Sequence, residues 1–237
     1  MELLVGTLIK VLLFAFIAGM FTLVFIMARR GRRQSERIRA EYAQLARIAP
    51  ERGWTYTPYV RGKIDQFSGV GPFPKGQNLP AWHYTAGEIR GHSFKYFEYR
   101  EKNIVPDGEV TERPDIIIES VFVVTTPGSA PYMEIYHPGM LDTMMDRRTK
   151  VQLGVPKFDL EFRIASRDEP FARSVLSGDL IPFLLTDPRA KKSRIALRDD
   201  AVFTWYTGTM SPQAADEKLN YLCDVLERIP AQAWTTT

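Results

Sequence analysis

One cysteine, Cys223, and three histidines, His83, His92 and His137, are all that 237 residues offer to thiol or imidazole chemistry. A lone cysteine excludes an intramolecular disulfide, so the fold rests on packing, as suits a reducing compartment. Cys223 falls among the apolar residues of an amphipathic stretch, where cysteine acts as a small hydrophobe. The nearest histidines stand nine positions apart, on opposite arms of an expected hairpin, without the close pairing of a zinc site. No G-x-S-x-G occurs, and Ser68 in "FSGVG" lacks the strand-to-helix setting of a nucleophile elbow. "GPFPKG" is not followed by G-K-[ST], and its prolines remove amide donors that a phosphate cradle needs. No G-x-G-x-x-G opens a helix. The sequence therefore offers no catalytic, cofactor-binding or metal-ligating set, and the reading leans away from an enzyme.

A net positive charge is also missing outside one block. Residues 1–39 hold seven basic and two acidic side chains, a net of +5, which leaves −2 of the total +3 for residues 40–237. A slightly acidic folded part has no field to attract nucleic acid. What is abundant is apolar surface at the N-terminus. Val11–Ala28 is 18 residues without a charge, and the run reaches back to Leu3 with Lys10 as its one interruption. At 1.5 Å per residue this covers roughly 39 Å, more than the ~30 Å hydrocarbon core of a bilayer. The basic residues follow the run instead of preceding it, which is the reverse of a signal peptide, so the expectation is an uncleaved transmembrane helix. Arg29, Arg30, Arg32 and Arg33 then form a candidate membrane-surface site for anionic lipid headgroups. By the same charge asymmetry the N-terminus faces out and the rest lies in the cytoplasm.

The remainder reads as α+β. Ile38, Tyr42, Leu45 and Ala49 mark one stripe of a basic juxtamembrane helix ended by Pro50. "AWHYTAGEIRGHSFKYFEYRE" predicts a hairpin turning at Arg90-Gly91, with Phe94 and Tyr96 on one face but Phe97 and Tyr99 on the other, which calls for burial on both faces or a bulge. Ile116–Thr126, apolar at both parities, predicts a central strand, with "PYMEIYHP" a separate one. "GMLDTMMDRRTKVQLGVP" reads as irregular. "KFDLEFRIAS" alternates, predicting a half-buried strand with Phe158, Leu160, Phe162 and Ile164 inward and Asp159 and Glu161 in water. Asp168 caps a helix with Pro170 in its first turn. "SRIALRDDAVFTWYTG" reads as a second hairpin turning at Asp199-Asp200. Ser211 and Pro212 start a helix whose Leu219, Leu222, Leu226 and Ile229 share a face, and Trp234 folds back on the domain.

"FDLEFRIASRDEPFARSVLSGDLIPFL", through Phe158, Asp159, Phe162, Ile164, Asp168, Ala172, Val175 and Leu176, resembles a motif of uncharacterised bacterial membrane proteins, many actinobacterial, with one or two N-terminal spans and a soluble domain of unknown function. "ERGWTYTP" and "LERIPAQAW" resemble them too, and Ile164 stands for the usual valine. The resemblance implies a bacterial inner-membrane setting and brings no activity, cofactor or catalytic residue.

The expected organisation is a transmembrane anchor over 1–28, a basic juxtamembrane helix over 29–52, and a cytoplasmic α+β domain over 53–237 with a mostly antiparallel sheet and packed helices. The expected role is a membrane-anchored interaction or structural domain in the cell inner membrane, its partners the bilayer and a protein. The rival readings are a membrane-bound enzyme, a hydrolase among the candidates, and a small-ligand sensor.

Overall fold

The computed structural model describes residues 2–102, 116–139 and 150–234, with the side chains of 2–15, 17, 18, 102 and 150 outside the description. Two compact units emerge, Met1–Ala43 and Gln44–Thr237.

Helix α1 runs unbroken over Glu2–Glu51. Within the first unit its large apolar side chains Phe16, Met20, Phe21, Leu23, Val24, Phe25, Ile26 and Met27 are all exposed. Among the described residues no helix is long and apolar enough to cross a membrane. Much of the apolar run expected to span lies among the side chains outside the description. In the second unit Leu45 and Ala49 are buried, as their stripe predicts.

The second unit is α+β, built on a sheet whose seven described strands pair only antiparallel. The strands are β1 (Thr55–Arg61), β2 (Pro80–Ile89), β3 (His92–Lys102), β4 (Ile116–Tyr136), β5 (Lys150–Val151), β6 (Arg163–Ser166) and β7 (Ile195–Thr207). Their order is β1-β2-β3-β4-β6-β5, with β7 along the other side of β4. Helices α2 (Pro156–Glu161), α3 (Glu169–Val175), α4 (Leu180–Thr186) and α5 (Pro212–Leu226) complete it.

The β2–β3 hairpin turns at Arg90-Gly91, both at positive φ (53° and 80°), the geometry a two-residue primed turn requires. Phe94, Tyr96, Phe97 and Tyr99 are all buried, so burial on both faces explains the parity switch in β3; the bulge lies across the pairing, between Trp82 and Thr85 of β2. One face of β3 and β4 packs Phe97, Val121 and Val123 with Phe203 of β7 under the loop residues Ile64, Phe67, Phe73 and Leu79. The opposite face receives α5, whose Leu219, Leu222 and Leu226 are buried. Ser211 caps α5 through the Ala214 amide and Asp168 caps α3 through that of Phe171. Trp54 lies so close over Gly87 that an added Cβ would stand 2.3 Å from its ring, and one added at Gly128 would stand 3.1 Å from the Cβ and the carbonyl oxygen of Trp234.

Three expectations are corrected. The stretches 116–126 and 131–136 are one 21-residue strand, because Pro127 and Gly128 sit in a bulge that bends β4 instead of ending it. Residues 195–207 are likewise one strand, not a hairpin. Only Asp199 takes a positive φ (50°), where a primed turn needs two such residues, and Asp199-Asp200 bend opposite the β4 bulge. Residues 156–161 form the helix α2 ahead of β6. Phe158 and Phe162 are four apart, a spacing that serves a helix face and a strand face alike; Leu160, 76% exposed, is the residue that discriminates. Asp159 does not simply face water: its carboxylate accepts the Leu153 and Gly154 amides at 3.1 and 2.9 Å. Of the stretch expected to be irregular, residues 140–149 lie outside the described ones.

Candidate functional site

The four arginines singled out in the sequence, Arg29, Arg30, Arg32 and Arg33, all lie on α1 and all are exposed. Because α-helical residues advance by about 100° per position, the four arginines fall within an arc of roughly 160°, a half-collar on one broad side of the helix. The structure places no carboxylate in an ion pair with any of them among the described residues; the nearest pair along α1 is Arg37–Glu41 at 3.0 Å.

The second unit holds a polar cluster that the sequence analysis did not find. Glu98, in the middle of β3, is fully buried. Its Oε2 accepts from Nη2 of Arg100 at 2.9 Å, and its Oε1 accepts the Met210 amide at 2.9 Å. Arg100 in turn covers the Trp82 ring at 5.2 Å and approaches His83 Nε2 at 3.3 Å. A guanidinium only donates, so Nε2 is the accepting nitrogen, and a neutral imidazole then carries its proton on Nδ1. That N–H donates to the Tyr56 oxygen, 2.7 Å away. Burial holds the His83 pKa below its ordinary value; Glu98 opposes this and Arg100 reinforces it. Burial, and then Glu98, raises that of Tyr56.

The backbone explains how these side chains meet. His83 sits in the β2 bulge at φ 53°, which turns its ring toward Tyr56 on β1 and Arg100 on β3. The cluster is a continuous chain of donors and acceptors: carboxylate, guanidinium, imidazole, phenol. It ties three strands together and fixes the Met210 amide one residue before the cap of α5. It holds no nucleophile beside a free base, so its chemistry is that of a clamp.

The three histidines do not converge. His83 belongs to the clamp, His92 opens β3, and the exposed His137 stacks edge-on against Phe162 at 6.0 Å. Among the described residues no group of three His, Cys, Asp or Glu side chains forms a metal site. Cys223 is buried on α5, and burial pushes its thiol pKa up, away from thiolate reactivity. The signal that could have found the clamp is Glu98 itself, a carboxylate set in "KYFEYR" among aromatics of both parities.

No protein-family model and no curated protein matches the chain. Among solved structures, the crystal structure of the mycobacterial trehalose monomycolate transport factor A, TtfA, is similar, with a TM-score of 0.55 at 15% identity over 81% of this chain and 97% of that one. At that identity the likeness is one of fold.

Proposed function

We propose that this protein is a membrane-tethered domain for interaction or structural support: one span with its N-terminus outside, and a second unit in the cytoplasm that engages a protein partner at the bilayer. The observation that carries the reading is α1. Its large apolar side chains from Phe16 to Met27 are exposed, and four exposed arginines follow immediately. In water such a surface costs on the order of 25 cal/mol per Å², whereas a bilayer covers it and offers anionic headgroups to the arginines, each worth about 1 kcal/mol near the surface. The span and the orientation rest on this pattern and on the charge asymmetry in the sequence.

Two further observations support a non-catalytic role. The clamp around Glu98 satisfies its own groups instead of presenting them to a substrate. The similar fold belongs to a transport factor, which favours an accessory task beside a membrane process for this chain as well.

The test is a topology reporter, active only outside the cytoplasm, fused after Thr237. The fusion is expected to be silent, and replacing Arg29, Arg30, Arg32 and Arg33 by Gln is expected to switch on a fraction of it. Full activity of the unmodified fusion would overturn the orientation. Recovery of the full chain in the soluble fraction would overturn the span.

A further inference from the structure

The second unit carries a cleft of about 280 Å³ whose lining includes Lys191, Lys192, Ser193 and Arg194, with Trp205 and Tyr206 from the far half of β7. Three of four consecutive residues there are cationic, in a part of the chain whose overall balance is negative.

Two of these charges are already answered. Lys191 pairs with Glu161 at 2.9 Å, and Arg194 pairs with Glu134 at 3.2 Å while lying over the Tyr136 ring. Lys192 is different: among the described residues no carboxylate pairs with it. A further ammonium, from α5, stands behind Ser193. Lys218 Nζ donates to Ser193 Oγ at 2.7 Å, so its partner is a neutral hydroxyl. Burial pushes the Lys218 pKa down; Glu217 opposes this, while the positive charges of Arg189 and Lys192 push the same way. Ser193 is itself buried, and having accepted from Lys218 it still has its own proton to give.

We propose that this cleft is a binding site for a phosphate-class oxyanion, held by the Lys192 ammonium and the Ser193 hydroxyl, with the Lys218 ammonium bonded behind Ser193 and Trp205 and Tyr206 in the wall of the cleft. The arrangement suits such a ligand for three reasons. A bound anion supplies the negative charge that two neighbouring ammoniums lack. Lysines address a phosphate as point charges and need no fork geometry. A hydroxyl with one proton to spare donates to an oxyanion and gains nothing from a cation. The ligand is either a soluble phosphate ester or the headgroup of a phospholipid. The site does not depend on the span or on the arginine half-collar.

The experiment uses the full chain in neutral detergent, titrated with inorganic phosphate at constant ionic strength and read by tryptophan fluorescence. Saturable binding is expected. Lys192→Gln removes an exposed side chain without touching the core, so its melting temperature should stay that of the wild type while phosphate affinity falls about tenfold, the scale of one charge-assisted hydrogen bond. Ser193→Ala should weaken binding by a smaller factor. The variant lacking the four half-collar arginines should bind phosphate as the wild type does. No saturable binding, or Lys192→Gln binding like the wild type, overturns the site. A second arm reconstitutes the chain in phosphatidylcholine vesicles with or without phosphatidylglycerol. Competition of phosphatidylglycerol with phosphate, lost in Lys192→Gln, assigns a lipid headgroup; equal phosphate binding in both vesicles assigns a soluble ester.

Discussion

The two faces of the central sheet deal with charge in opposite ways. Under the 62–79 loop, Phe97, Val121, Val123 and Phe203 meet Phe67 and Phe73 in a cluster that holds no carboxylate, ammonium or guanidinium. Lys95 and Glu119 stand at its border, and burial displaces both toward neutrality: the Lys95 pKa falls as its ammonium lies over Phe67, and that of Glu119 rises. Under α5 the charge is central instead. Glu98 is fully buried, and a guanidinium and an amide answer it. A low-dielectric interior tolerates an ion by either route, pushing it to the rim and toward its neutral form or surrounding it with donors. The first face is held by shape and the second by a network, so they should fail differently.

The largest effect is expected where shape alone acts. Phe203→Ala should cost about 3–5 kcal/mol of unfolding free energy, because its ring fills the space between the sheet and Phe67 and its loss leaves a cavity there. Chemical denaturation of the domain measures this, and a loss under 1 kcal/mol would remove the contrast. On the α5 face, Glu98→Ala should cost about 3 kcal/mol by leaving the Met210 amide and part of Arg100 unanswered, whereas Glu98→Gln, which keeps an acceptor for the amide, should cost less. Equal losses for the two would show that volume and not hydrogen bonding governs that face.

Smaller effects separate the faces by pH. Burial raises the folded pKa of Glu119 first, Glu101 adds to this, and its Oε2 is buried without a partner. The folded protein therefore binds this proton more readily than the unfolded chain does, and stability from this group rises as pH falls from the folded value toward 4.5. Glu119→Gln should accordingly be stabilising at neutral pH, by up to about 1 kcal/mol, and the gain should shrink in acid. His83 works with the opposite sign. Its folded pKa is lowered, so the unfolded chain takes up the proton first, and stability is lost as pH falls through 6.5 toward the folded value. Melting curves between neutral pH and the carboxylate range should show this loss in the wild type and a flatter profile in His83→Gln. A wild-type profile in that variant would mean the imidazole is not neutral in the clamp.

Much of the second unit could be read in the sequence because local chemistry set it. Arg90-Gly91 selects its turn, Ser211-Pro212 and Asp168 select their helix starts, and the apolar run at 116–126 demands a central place. The misread elements are those in which a distant partner decided. Pro127-Gly128 and Asp199-Asp200 look like breaks on their own and become a matched bend when β4 lies beside β7. Residues 158–162 satisfy two periods at once, and tertiary packing chose the helix. The clamp was hidden because Tyr56, His83, Glu98 and Arg100 come from three strands, and only the β2 bulge turns the imidazole toward the others. The arginine half-collar was legible as composition, and the structure adds that all four side chains are exposed.

The 21-residue strand β4 has a consequence for synthesis. Its first half needs β3 on one side and β7 on the other, and Glu119 meets its partner Thr207 only after 88 further residues have been made. While the ribosome translates those residues, a strand apolar on both faces has one edge unmatched. Chain closure over such a separation is slow, and an open apolar edge invites association between nascent chains. Pro127 has no amide hydrogen to give, with or without β7 in place, so a neighbouring nascent chain finds no continuous ladder of donors along the whole of the waiting strand.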